Sequence, residues 1–358
     1  MEKLFNIAKK DMRCNTSYPL TRDLWSEYKQ IEYSIDLSKT DKLSLYIHIP
    51  FCNNLCKFCE YTKFKGVSSN KQRAYLENIN KQISAFSFNG TVVGFDVGGG
   101  TPTALSLENL QYLVDICKKI KVDNQYEKSI EASFDTITKE KIKVIAQYFD
   151  RISFGMQTFS HKVLSANNRI VNKISKMKEI IHYCRKKGLK TNIDLMYGLK
   201  GLDEYDLKIT SNIVKKIAPN QITVYEMRYN AVNDENPFSR VEMLQQYQNV
   251  YNELSQVYPF HRFGRNTFSD SDDQGVSSYI KYRMEGTSYL GFGISAQSFI
   301  VEDNLLRYNR GKNITDFKQA TSSNGDIYKL TNEEVIAKYV AISLYFSMIN
   351  LEKLNNKY

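Results

Sequence analysis

Cys52, Cys56 and Cys59 fall within eight residues of one another in the stretch Tyr46-Ile-His-Ile-Pro-Phe-Cys-Asn-Asn-Leu-Cys-Lys-Phe-Cys59. Thiolates so spaced on one loop are ligands for an iron–sulfur cluster, and a cubane cluster has four irons. Three thiolates leave one iron open to bind and reduce another molecule. A structural zinc site would want four ligands, usually in two separated pairs, and no second pair stands nearby. The other cysteines, Cys14, Cys117 and Cys184, are scattered singly. That usage suits a reducing compartment rather than a disulfide framework.

A second set of residues has the chemistry to hold a polar ligand beside such a loop. Gly98-Gly-Gly-Thr-Pro102 is a glycine turn of the kind that lets backbone N–H groups approach a ligand closely. Glu131 and Asp194 offer carboxylates for ribose hydroxyls, Gln157 offers an amide, and Arg169 offers a fork for a carboxylate.

What must position these residues is an alternation of strands and helices. Short β-branched and apolar runs are expected as strands at 43–49, 91–96, 129–133, 151–155, 191–196 and 221–225. Helical spacing occupies 71–86, 107–120, 138–148, 173–187 and 204–217. Six strands separated by five helices imply right-handed βα units and a parallel sheet. The expected fold class is α/β: a partial (β/α)6 barrel whose ligands collect at the carboxyl ends of the strands. The candidate residues fall at those ends.

The rhythm changes after Tyr225. A polar loop, a long helix (239–257), an aromatic and Asp-rich segment (263–282), a glycine-punctuated strand (289–298) and a terminal helix (332–349) are expected. The domain reading is an N-terminal helical extension at 1–40, the barrel at 41–230, and a small α+β cap at 231–358 that covers the mouth.

Composition narrows the function classes. An apolar fraction of 42% over 358 residues fits a globular enzyme. No apolar run approaches the roughly 18 residues that span a bilayer, and the N-terminus lacks the marks of a signal peptide, so a cytoplasmic location is expected. The net charge of +10 comes from dispersed lysines. Without a basic run interleaved with aromatics, nucleic-acid binding is not expected.

Taken together, six ordered stretches resemble the radical S-adenosylmethionine (SAM) enzymes of the oxygen-independent coproporphyrinogen III oxidase-like family. They are the cysteine motif with its Tyr46-Ile-His-Ile-Pro lead-in, Gly98–Pro102, Ile130-Glu-Ala132, Ser153–Phe159, Asn192–Gly198 and Gly291-Phe-Gly-Ile-Ser-Ala296. The resemblance covers roughly residues 43–300 and implies a [4Fe–4S] cluster on Cys52, Cys56 and Cys59. It also implies SAM bound at the open iron, with Gly99, Gly100, Thr101, Glu131, Gln157, Arg169 and Asp194 as contacts. Tyr46 and Phe58 would flank the cluster, Tyr46 in a catalytic part. Gly293, Ser295 and Ala296 would help hold a second SAM.

Two departures shape the expected reaction. Coproporphyrinogen oxidases of this family carry a further cysteine where this chain has Tyr61, and the C-terminal helical region is shorter here. These point toward class C-like methyltransferases, which use two SAM molecules for carbon methylation or C–C bond formation on a small molecule. A porphyrin-directed oxidase, a heme-degrading enzyme and a heme chaperone are the alternatives. A small-molecule substrate, including a tetrapyrrole, and a reductant such as flavodoxin or ferredoxin are the implied partners.

Overall fold

The computed structural model describes residues 35–232, 234–262, 266–271, 277–309, 325–345 and 349–357. Most of the expected extension at 1–40, and Cys14 with it, lies outside the described residues.

The six expected strands are present as β1 (Lys42–Ile49), β2 (Thr91–Gly99), β3 (Lys128–Ala132), β4 (Arg151–Gln157), β5 (Lys190–Tyr197) and β6 (Gln221–Glu226). They are joined by α1 (Ser69–Ala85), α2 (Leu107–Cys117), α3 (Lys139–Ile145), α4 (His161–Ala166) with α5 (Ile174–Lys186), and α6 (Glu204–Ile217). Each strand pairs in parallel with the next. Side-chain hydroxyls or carboxylates start most of these helices. Ser68, Ser106 and Thr138 accept from backbone N–H groups of the first turn, and Asp203 forms a capping box with Asp206.

The strands alternate strictly. In β1, Leu43, Leu45, Ile47 and Ile49 are fully buried under the helices, while Ser44, Tyr46 and His48 point to the opposite face. The pattern repeats in β2 with Phe95 and Val97 against Asp96 and Gly98, and in β4 with Ile152 and Phe154 against Arg151 and Ser153. The helix side makes one continuous apolar core. The other side is a polar lumen.

Beyond β6 the chain continues through α7 (Arg240–Ser255), β7 (Phe260–Arg262), β8 (Thr267–Ser269) and α8 (Ser278–Met284). It then forms β9 (Ser288–Phe292), β10 (Gln297–Ile300), β11 (Leu305–Asn309), β12 (Gly325–Lys329) and α9 (Asn332–Tyr345). These strands do not form a layer of their own. They extend both edges of the same sheet, in the order β12-β11-β10-β9-β1-β2-β3-β4-β5-β6-β8-β7. β9 adds to β1 in parallel, the rest of that arm is antiparallel, and β8 adds antiparallel to β6. The single strand expected at 289–298 is two strands. Gly293, at φ +90°, and Ser295, at φ +60°, turn the chain between them.

Helix α8 was not foreseen, and it fills the lumen beside β1 and β2. A Cβ on Gly94 would lie 2.3 Å from the Tyr279 backbone nitrogen, so glycine is what allows the helix this close. Tyr279 stacks on Tyr46 with ring centroids 5.8 Å apart, and Ser277 donates to Asp96 at 2.8 Å.

Candidate active site at the barrel mouth

The cysteine loop leaves β1 at Pro50 and is anchored at several points. Phe64 N donates to Pro50 O at 2.7 Å, Lys63 Nζ to Cys59 O at 2.7 Å, and Lys57 N to Asn167 O at 3.4 Å. An ion pair between Glu60 and Arg228 ties the loop to the end of β6. Leu55 and Tyr61 on this loop, Ile170 and Val171 after α4, and Tyr225 on β6 are exposed apolar side chains.

Cys52, Cys56 and Cys59 are half-buried and none is in a disulfide. Burial, opposed by the Thr101 hydrogen bond and helped by the charges of Cys59 and Cys56, pushes the Cys52 thiol up to about 11, because three thiolates on one loop repel one another. A cation shared by the three would relieve that repulsion, which is what cluster iron supplies. Among the described residues, no group of three His, Cys, Asp or Glu side chains is arranged around a single ion. In a cubane each thiolate has its own iron, so the three need not converge on one point. The loop fits the cluster.

The glycine turn lies against this loop. Gly100 N donates to Ile49 O and Thr101 N to Phe51 O, both at 2.8 Å, and Gly99 N donates to Glu131 Oε2 at 3.1 Å. This corrects the expectation that these N–H groups await a ligand: the protein itself occupies them. Glycine is required for a different closeness. A Cβ on Gly98 would strike the Glu131 carboxylate, and one on Gly99, at φ +116°, would strike the His48 ring. What Thr101 offers the site is its hydroxyl, 3.6 Å from Cys52 Sγ.

Arg169 reaches the centre of the site. Its Nη1 lies 3.4 Å from Cys56 Sγ and its Nη2 donates to Gly155 O. Gln157 arrives beside it because β4 carries a bulge against β5 and Gln157 adopts φ +73°, a strained placement that re-aims the side chain. A Cβ on Gly155 would lie 3.0 Å from Gln157 Nε2 and 3.5 Å from Arg169 Nη2, so both side chains lie over that glycine.

Two carboxylates line the lumen below. Burial pushes Glu131 up to about 8, with the Asp194 charge adding to the rise and the hydrogen bond from Gly99 N opposing it. Burial also raises Asp194, to about 6, against hydrogen bonds from Ser153 and Asn192 and the nearby Arg169 charge. Asp96, one strand from Glu131, is raised by burial to about 7.

Sequence reasoning assigned no part to His48 beyond membership of the motif. Its Nε2 lies 2.9 Å from Thr62 O, an acceptor, so Nε2 carries the proton and Nδ1 accepts from Tyr46 Oη at 3.2 Å. Burial lowers His48 to about 4, which keeps it neutral. Tyr46 therefore directs its proton at His48 and leaves its oxygen lone pairs as acceptors. Thr62 also donates to Ser295 Oγ at 2.7 Å, linking the cysteine loop to the β9–β10 turn. The alternation Ser44, Tyr46, His48 in β1 was the available signal for this lumen-facing row.

Gly293 and Ala296 do not face the mouth with side-chain space. A Cβ on Gly293 would lie 2.3 Å from Tyr75 Oη, and Ala296 is buried. The Gly293 carbonyl accepts from Asn309 Nδ2 at 2.9 Å. Phe58 is half-buried against the main core.

Residues 46–212 match the radical SAM superfamily, so the class that this stretch of the sheet and its site define is the radical SAM domain. Within it, the chain is a homologue of the oxygen-independent coproporphyrinogen III oxidases and the heme chaperones. It is 28% identical over 318 residues to the oxygen-independent coproporphyrinogen III oxidase of Escherichia coli (strain K12), covering 80% of this chain and 68% of that one. It is 24% identical over 324 residues to the heme chaperone HemW of Bacillus subtilis (strain 168), covering 84% and 83%. The solved structure of coproporphyrinogen III oxidase (HemN) from Escherichia coli shares the fold, with a TM-score of 0.74 at 24% identity over 89% of this chain and 79% of that one. Among the described residues no helix is long and apolar enough to cross a membrane.

Proposed function

We propose that this chain is a radical SAM enzyme whose substrate is a tetrapyrrole. The observation that carries the reading is the convergence of the three-cysteine loop, Arg169, Gln157, Glu131 and Asp194 on one mouth edged by exposed apolar side chains. When bound, the [4Fe–4S] cluster would supply the electron that cleaves SAM to a 5′-deoxyadenosyl radical. Cys52, Cys56 and Cys59 would hold it. Arg169 has the planar fork for the methionine carboxylate, and Asp194 and Glu131 are acceptors for ribose hydroxyls. The lumen walls and α8 limit water around the radical.

The substrate class is supported by the relatives, whose names are a coproporphyrinogen oxidase and a heme chaperone, both concerned with tetrapyrroles. The apolar side chains Leu55, Tyr61, Ile170, Val171 and Tyr225, with Lys57 among them, suit a flat apolar ring bearing carboxylates. Two-SAM carbon methylation draws on one observation, the Thr62–Ser295 contact that brings the β9–β10 turn to the cysteine loop. It stands as the second reading. The electron donor is read as flavodoxin or ferredoxin.

The test is anaerobic cluster reconstitution, then incubation with SAM, reductant and a coproporphyrinogen or heme. The expected outcome is 5′-deoxyadenosine from the native chain and none from Cys56→Ala, with tetrapyrrole-dependent turnover. Formation of 5′-deoxyadenosine that no tetrapyrrole alters would overturn the substrate class. S-adenosylhomocysteine and a methylated product would favour the second reading.

A further inference from the structure

Below the mouth, buried polar side chains join into one chain of hydrogen bonds across three strands, β4, β5 and β6. Arg151 Nη1 donates to Gln221 Oε1 at 2.6 Å, and Gln221 Nε2 donates to Thr223 Oγ1 at 3.1 Å. Thr223 Oγ1 donates to Asn192 Oδ1 at 3.1 Å. Asn192 Nδ2 then donates to Asp194 Oδ1 at 2.7 Å and to Ser153 Oγ at 2.8 Å, and Ser153 Oγ donates to Asp194 Oδ2 at 3.0 Å. Arg151, Gln221, Thr223 and Asn192 are all nearly inaccessible to solvent.

The direction of this chain is fixed by its ends. A guanidinium can only donate and an ionised carboxylate can only accept. Arg151 must therefore be met by the Gln221 oxygen, which turns the Gln221 amide nitrogen to Thr223. The single hydroxyl proton of Thr223 is then left for the Asn192 oxygen. Asn192 has no alternative but to present its NH2 to Asp194 and Ser153. Both Asp194 oxygens thus receive donors, an arrangement that favours the carboxylate over the acid.

We infer that Asn192, oriented by the Arg151–Gln221–Thr223 chain, is a positioning residue that fixes the direction and charge of the Asp194 carboxylate at the mouth. Its bearing on SAM rests on the reading of Asp194 as a SAM contact. Burial raises Asp194 to about 6, so the donors keep it ionised at neutral pH. The other charged groups facing it are Arg169, which favours the ion, and Glu131 on β3, with Asp96 on β2 beyond it. From β6 it is reached through the Thr223 hydroxyl.

Thr223 touches neither Asp194 nor the mouth, which makes it the place to cut. Thr223→Val removes the donor to the Asn192 oxygen, so the hold of the Asn192 NH2 on Asp194 weakens. Gln221→Glu still accepts from Arg151 but gives Thr223 an acceptor, drawing its proton away from Asn192. Two measurements follow on the whole chain. The first is the titration of the Asp194 carboxyl carbon by 13C NMR without SAM, identified by its loss in Asp194→Asn. The second is anaerobic SAM affinity of the cluster-loaded protein against pH.

We expect the Asp194 midpoint to rise by about one pH unit in both variants, with Thr223→Ser unchanged. SAM affinity should fall about twofold at pH 7, where a midpoint moved from about 6 to about 7 leaves half of the carboxyl ionised, fall further as pH drops below 6, and return by pH 8.5. An unmoved Asp194 midpoint in either folded variant overturns the inference. A midpoint that moves while SAM affinity does not would instead uphold the positioning and remove Asp194 from the SAM site.

Discussion

Ser153 and Phe154 are neighbours in β4, and they belong to different environments. Phe154 is fully buried on the helix side, stacked on Phe134 with centroids 4.4 Å apart. Ser153 faces the lumen and hydrogen-bonds Asp194. The same division runs through β1, where Leu45 and Ile47 flank Tyr46, and through β5, where Ile193 flanks Asn192 and Asp194. One face of these strands is filled with interchangeable apolar volume. The other carries polar groups whose partners and directions are specific. The difference separates what stabilises this chain from what gives it chemistry.

The largest effect that should follow is on the helix side. Phe154→Ala should cost about 3–5 kcal/mol, as removal of a large aromatic from a packed core does, read from the denaturant midpoint of the apo protein. A loss under about 1 kcal/mol would mean that the two faces are not so divided.

Gly293 sharpens the comparison because its surroundings give it a packing role as well as the ligand-lining one that the family resemblance implies. It abuts Tyr75 Oη and His48 O beneath α1 and holds φ +90°. Gly293→Ala should therefore destabilise the protein without any SAM present, by about 1–3 kcal/mol for the strained backbone alone. Unchanged stability together with lost SAM binding would leave only the ligand-lining role.

The smallest effect concerns the lumen carboxyls. Asp96, Glu131 and Asp194 all have folded values raised above the ordinary carboxyl range. The folded chain therefore holds more protons than the unfolded one between about pH 4 and 8. Their contribution is most favourable below that window and is lost as pH rises through it. Asp96→Asn should flatten part of this fall in a series of denaturant midpoints from pH 5 to 8. An unaltered slope would show that Asp96 is solvated as freely as a surface carboxyl.

The sequence by itself determined the six strands and five connecting helical regions, the cysteine loop and the polar residues at the strand ends. Those follow from local signals: period-two alternation, helical spacing, glycine turns and thiol spacing. It did not show that the C-terminal strands would extend the barrel sheet, that α8 would fill the lumen, or that the glycine-turn N–H groups would be occupied. Nor did it show which lumen side chains would meet. Thr223 bonds Asn192 across 31 residues, and Ser277 bonds Asp96 across 181. Such pairs depend on strand register and on the side chain's donor and acceptor geometry, which exist only once the sheet is assembled. Periodicity says which face a residue takes; tertiary structure alone decides what it finds there.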